Sequence, residues 1–267
     1  MGIIRDPRVM QIILLGIYTL AGVFLLDFSV TWIQIGLTLL LCTILELLLV
    51  YWKKGTLVWP PYSAVITGLG IALALRGDTV IPFIIAALVA IGLKHFVRYR
   101  GNHIFNPSNS GIVAVTLLIP STATAPLQWG YFLWILALMS IGGLYLVFKV
   151  HRQTLVFSFF LSFIAIQYSR HLIWPEQWNA NFSAFMWGGL FVFMFNMITD
   201  PKTSPKSIKS QLVFGVSTAV IAQIMIHLNV HNAVFISLAI VTLGRFLIIW
   251  IEDNVLNKNQ TSVKHSC

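Results

Sequence analysis

Ile198-Thr199-Asp200-Pro201-Lys202-Thr203-Ser204-Pro205 ends a strongly apolar segment in a polar turn braced by two prolines. Half a chain earlier, Asn102-His103-Ile104-Phe105-Asn106-Pro107-Ser108-Asn109-Ser110-Gly111 stands just before another apolar run. In lipid, irregular backbone survives only where protein or a water-filled cavity covers its polar groups. Turns rich in Asn, Asp, Ser and Thr at the ends of apolar segments therefore mark sites.

Hydrophobic residues fill 58% of the 267 positions, charged residues 9%, and the mean hydropathy is +0.86. Such a chain is a polytopic membrane protein, not a soluble domain. Its net charge of +9 comes from basic residues scattered between apolar runs, which argues against nucleic acid. Ten apolar segments follow: Val9–Leu26, Thr31–Tyr51, Pro61–Leu75, Thr79–Val97, Pro107–Pro120, Gln128–Val150, Gln153–His171, Ser183–Thr199, Ile208–Asn229 and Asn232–Ile251. With a cytoplasmic N-terminus, the inside loops hold 14 of the 17 Lys and Arg, the outside only Arg76 and Arg170, and Arg245 falls within the last segment. The positive-inside rule thus predicts an all-α inner-membrane protein with ten crossings and both termini cytoplasmic.

The third, fifth and eighth segments are shorter than the roughly 20 residues of a comfortable span, so broken or tilted half-helices are expected there. Ser63-Ala64-Val65-Ile66-Thr67-Gly68 and Ser183-Ala184-Phe185-Met186-Trp187-Gly188 share Ser-Ala-x-x-x-Gly, each opening the third segment of its five. Five crossings being odd, the second set would be inverted relative to the first. The expected organisation is residues 1–127 as one five-helix repeat, 128–251 as its inverted partner, and 252–267 as a short cytoplasmic tail. The first apolar run reads as a retained span, not a cleaved leader. Two cysteines, Cys42 and Cys267, make neither a disulfide framework nor a metal ligand set, and no metal site is expected.

Asn106 can cap a half-helix opened by Pro107, leaving positive partial charge at the helix start. That charge suits a phosphate, a carboxylate or the electron-rich edge of a ring. In the ten-crossing arrangement both turns, and the segment start carrying Ser63 and Thr67, share the cytoplasmic side. The expected pocket residues are Ser63, Thr67, Asn106, Asn109, Asp200, Thr203 and Ser204. Ordinary capping and turn formation is the plainer account of each turn taken singly.

Ser63-x-x-x-Thr67-Gly68-Leu69, Ile104-Phe105-Asn106-Pro107 and Thr199-Asp200-Pro201-Lys202-Thr203-Ser204-Pro205 together resemble the NqrB/RnfD family of membrane subunits. These belong to sodium-pumping NADH:quinone oxidoreductase and the Rnf electron-transport complex. Asp6-Pro7-Arg8 and Glu46 ahead of Lys53-Lys54-Gly55 resemble the family too. The resemblance implies two inverted five-helix repeats similar to urea transporters. It further implies a flavin, riboflavin or FMN, held within the membrane, partner subunits, and electron transfer coupled to Na+ or H+ movement. Family members carry FMN joined through phosphate to threonine in a Ser/Thr-Gly-Ala-Thr motif. Here Ser121-Thr122-Ala123-Thr124 offers Thr124 as the acceptor, with threonine in place of the glycine. The chain is closest to the short family members without a clear flavinylation motif.

Two charges inside spans stand apart. A carboxylate within a span should face protein or water, and Glu46 is open to two readings: an ion or proton relay, or an interfacial residue near Lys53 and Lys54. Arg245 can pair with Asp200, Glu46 or a bound phosphate, or reach the interface. Three functions are consistent with these features: a flavin-binding electron-transfer subunit, a channel or transporter for a small polar solute, and a cofactor-free accessory protein. An aquaporin fits poorly, since Asn106-Pro107-Ser108 stands alone as a near match to its paired motif.

Overall fold

The computed structural model describes residues 6–124, 129, 133–173 and 188–264. Ten helices account for most of it: α1 Pro7–Leu25, α2 Trp32–Lys54, α3 Tyr62–Ala74, α4 Ile81–Phe96, α5 Pro107–Leu118, α6 Leu133–Lys149, α7 Gln153–Ile173, α8 Gly188–Met197, α9 Ile208–His227 and α10 Ala233–Lys264. Among them α1, α2, α7, α9 and the Ala233–Val255 part of α10 are long and apolar enough to cross a membrane. The protein is an all-α membrane protein with short helices where short segments were expected. Thus α3 has 13 residues and α5 has 12, while the described part of α8 is a single α turn running into the π-helical turn Phe193–Met197. The second Ser-Ala echo, residues 183–187, and the expected boundary at 127/128 lie outside the described residues. The tail expected from residue 252 instead continues α10 as helix to Lys264.

Local sequence sets the helix starts. Asp6 accepts from Arg8 N–H at 2.9 Å ahead of Pro7, and Asn106 accepts from Asn109 N–H at 3.0 Å ahead of Pro107. Thr31 and Gln34 close a reciprocal capping box, and Ser207 accepts from Ser210 N–H. Gly55 ends α2 at φ +67°, a left-handed conformation that residues with a Cβ rarely adopt.

Consecutive helices alternate between two faces. At one face Lys53 Nζ donates to His95 O, joining the ends of α2 and α4, and Gln211 at the start of α9 donates to His151 O between α6 and α7. At the other, Gln34 at the start of α2 donates to Gly77 O and Thr79 O ahead of α4. There too Thr124, after α5, meets Asn232 at the start of α10. Lys53, Lys54, Arg98, Arg100, Lys149, Arg152, Lys202 and Lys206 all fall at helix ends of the first face, hereafter the basic face. Two short antiparallel pairs tie the loops: β1 Leu75–Arg76 with β4 Ala123–Thr124 at the far face, and β2 Arg98–Tyr99 with β3 Asn102–His103 at the basic face.

Helix pairing in the first five, α1 with α3, α2 with α3 and α4, α4 with α5, recurs in the second five as α6 with α8, α7 with α8 and α9, α9 with α10. Between the two sets, α1 meets α6, α3 meets α8 and α5 meets α10. Without a hydrophobic drive between helices in lipid, close approach depends on small residues. One such approach joins α7 to α9: a Cβ on Gly215 would lie 2.1 Å from Ser158 Oγ and 2.7 Å from Leu155 O. The hydroxyl can turn away, but the carbonyl belongs to the α7 backbone. Gly215→Ala is therefore expected to push α9 off α7 and destabilise the protein by about 1–3 kcal/mol. Thermal unfolding in detergent would show this as a lowered midpoint, and an unchanged midpoint would contradict the close approach.

Candidate functional site

A cavity of about 210 Å³ opens at the basic face between the starts of α1, α3 and α5 and the ends of α6 and α8. The turn after α8 and the turn before α5 are its two polar walls. Asp200 joins them: its Oδ2 lies 3.2 Å from His103 Nε2 and accepts from Asn106 Nδ2 at 3.3 Å. Its Oδ1 accepts from Lys202 N–H at 3.0 Å, and its carbonyl accepts from Ser204 Oγ at 2.7 Å. His103 reaches this position because Arg100 and Gly101, at φ +48° and +80°, turn the β2–β3 hairpin back on itself. Burial pushes the Asp200 carboxyl up, but the His103 hydrogen bond and charge, with the Lys202 N–H and ammonium, pull it below its ordinary 3.8.

Four of the seven expected pocket residues, Ser63, Thr67, Asn106 and Asp200, line the cavity. The other three do not. Asn109 supplies the capped N–H of α5 and donates through Nδ2 to Phe235 O of α10 at 3.0 Å, so it fastens α5 to α10. Thr203 and Ser204 face the opposite side of their turn, where Arg152 Nε donates to Ser204 Oγ at 2.7 Å. On the α3 and α5 side, Thr67 Oγ1 donates to Ser63 O and Ser108 Oγ donates to Thr67 O. A Cβ on Gly70 would lie 2.7 Å from Ser108 Oγ, so α3 and α5 close the cavity floor without a side chain between them.

Sequence reasoning missed Gln11 and Asn196. Gln11 Nε2 donates to Asn196 Oδ1 at 3.3 Å, leaving the Gln11 carbonyl and the Asn196 amide for whatever enters. Each is a lone amide in an apolar stretch, and that was the available signal. Asn196 belongs to the π turn, where Ile198 N–H reaches back to Phe193 O at 3.1 Å. Such turns re-aim side chains within a helix and recur at functional sites. Apolar walls come from Leu15, Ile66, Leu146, Val150, Phe195 and Met197, while Arg8 and Lys202 add positive charge.

Glu46 does not reach toward Lys53 or Lys54. Its Oε1 accepts from Lys94 Nζ at 2.7 Å, and its Oε2 lies 2.9 Å from His95 Nε2. Lys94, itself buried, also donates to Ser63 Oγ at 2.9 Å, so the carboxylate is linked to the cavity wall through one ammonium. Arg245 pairs with neither Asp200 nor Glu46: its Nη1 donates to Thr203 O at 3.1 Å, and no carboxylate lies within 4.0 Å of it among the described residues. Thr124 belongs to the far face. Its N–H and hydroxyl both donate to Asn232 Oδ1, at 2.8 and 2.7 Å, beside a cavity of about 340 Å³.

Asp200→Asn removes the charge that holds His103 against the second turn, and should lower stability at neutral pH by about 1–3 kcal/mol. The folded-state pKa lies below the unfolded one, so the carboxylate's contribution is complete above the ordinary carboxylate range. It is lost as pH falls through the folded value. The gap between wild type and variant in thermal midpoint should therefore be full at pH 7 and close below pH 3.8; a gap independent of pH would contradict this electrostatic role.

Residues 129–246, from Trp129 through α6 to Phe246 in α10, match the family model described as the NQR2, RnfD, RnfE family. No curated protein matches the chain. The matched region contains the Asp200 turn and Arg245 but not Glu46, Ser63, Thr67 or Asn106. Over these residues the chain is similar to the NQR2, RnfD, RnfE family of membrane subunits, and its helical membrane fold agrees with that likeness.

Proposed function

We propose that this membrane subunit of a redox-driven ion-translocating complex holds the ring of a non-covalently bound flavin in the cavity between its two turns. The observation supporting this reading is the Asp200 bridge, which brings Asn106, Ser63 and Thr67 to one cavity together with the Gln11 and Asn196 amides. The donor set suits the group: apolar walls accept an aromatic ring, and paired amides and hydroxyls match an edge of alternating donors and acceptors. Gln11, Asn196 and Asn106 would hold that edge, with Phe195 and Leu15 against the ring. A bound flavin supplies one- and two-electron transfer. The chain supplies orientation, exclusion of water and a fixed electrostatic environment.

In this reading the basic face is cytoplasmic, the two sets of five helices are inverted repeats of residues 1–127 and 128–251, and partner subunits deliver and remove electrons. Lys94 Nζ holds a proton between Glu46 Oε1 and Ser63 Oγ, which makes Glu46 the candidate for moving a proton or Na+ in step with charge at the cavity. Covalent FMN at Thr124 is the less favoured attachment, because that hydroxyl is engaged by Asn232 at the opposite face.

The test is the visible absorption spectrum of the gently purified protein, followed by fluorescence of the band in a denaturing gel. Flavin absorption is expected in the native protein, with no fluorescence on the denatured band, and Thr124→Ala should leave the spectrum unchanged. A colourless protein would overturn the reading, and fluorescence retained on the band would move the flavin to a covalent site. Glu46→Gln should retain the flavin spectrum while slowing redox-linked ion uptake in liposomes containing the assembled complex; unchanged uptake would remove Glu46 from the relay.

A further inference from the structure

On the other side of the Pro201–Ser204 turn lies a second basic-face cavity, of about 440 Å³, between the β2–β3 hairpin and α10. Four cations border it: Arg100 from the hairpin, Lys202 and Lys206 from the turn, and Arg245 from α10. Arg100 is paired with Asp253, which also accepts from Tyr99 Oη at 2.5 Å. For Lys202, Lys206 and Arg245 no carboxylate lies within 4.0 Å among the described residues. Asp200, the acid nearest in sequence, has its carboxylate engaged by His103, Asn106 and the Lys202 N–H. Behind the turn Arg152, 5% exposed, donates to Ser204 Oγ and to Pro201 O. Arg152 is repelled by Arg245 and attracted, more strongly, by Asp200.

A concave group of like charges at the end of a membrane helix is unfavourable until an anion enters it. Lys54, at the end of α2, differs in this respect, since it is exposed on a helix surface. Thr203 and Ser204 line the same cavity, but their hydroxyl protons go to Asp200 O, so the cavity meets an anion with its cationic groups. One wall is apolar, formed by Phe246 and Ile249, and α10 continues outward with the exposed Leu247 and Trp250. Guanidinium and ammonium groups together suit tetrahedral oxyanions, and an apolar wall beside them suits a chain attached to one.

We propose that this cavity is a binding site for a phosphate group, carried by an anionic phospholipid or by a soluble phosphate-bearing molecule. Lys206 and Arg245 contribute its charge, and α10 provides the track for any acyl chain. The site does not depend on a flavin in the neighbouring cavity.

The experiment titrates the delipidated full-length protein in a neutral detergent with short-chain phosphatidylglycerol, short-chain phosphatidylcholine and inorganic pyrophosphate, following heat of binding. Saturable binding of phosphatidylglycerol without pyrophosphate binding assigns a lipid, and the reverse assigns a soluble ligand. Lys206→Glu and Arg245→Gln should each weaken the binding about tenfold or more, while Lys209→Gln, on the exposed start of α9, should leave it unchanged. Lys206 is exposed, so its variant carries the test if Arg245→Gln fails to fold. No saturable binding of either anionic probe, or equal binding by wild type and Lys206→Glu, would overturn the proposal.

Discussion

The Asp200 carboxylate is the constraint on which the basic face depends. It joins a turn that ends α8 to a turn that begins α5, elements separated by nearly a hundred residues, through His103 and Asn106. A buried carboxylate is costly unless its lone pairs are taken. Here the imidazole, a side-chain amide and the Lys202 N–H take them. The prolines on either side remove donors that the turn could not otherwise satisfy, and Arg152 and Arg245 brace the carbonyls and hydroxyls of its outer side. One turn thus separates two cavities of different character. The inner one has apolar walls and amide groups, and the outer one has unpaired positive charge.

Much of this was legible in the chain. Proline after a capping residue, and polar residues concentrated where apolar runs stop, specify local geometry that tertiary packing does not override. The alternation of helix ends between faces followed from where Lys and Arg stand, and the third and fifth segments became short helices because Pro61 and Pro107 fix their basic-face ends. Which side of a turn a residue faces is a different matter. Thr203 and Ser204 are two and three residues from a cavity-lining Pro201 yet face away, because the turn closes through Asp200 O and rotates them outward. Asn109 was drawn into the expected pocket by its neighbours, whereas the helical rotation after Asn106 carries it to α10.

Lys94 shows the limit from the other direction. As a single basic residue near a segment end it read as a topology signal, and only the packing of α2, α3 and α4 reveals that it bridges Glu46 and Ser63. Gln11 and Asn196 likewise acquire meaning as a pair, from α1 and α8 meeting across 185 residues. Contacts of this kind depend on helix pairing. That pairing repeats between the two sets of five helices, so that equivalent members α1 and α6, α3 and α8, α5 and α10 face one another. The inner cavity draws on the first two of those pairs and on α5, which is why half a chain could not have formed it.

The most direct test of this account is a double-mutant cycle between Asp200→Asn and His103→Gln, read by chemical unfolding of the purified protein in detergent at neutral pH. If the two turns are held together by this contact, the cycle returns a favourable coupling of about 1–3 kcal/mol. A coupling within error of zero, with both single variants folded, would mean that the turns meet for some other reason and that the cavity between them is not built on Asp200.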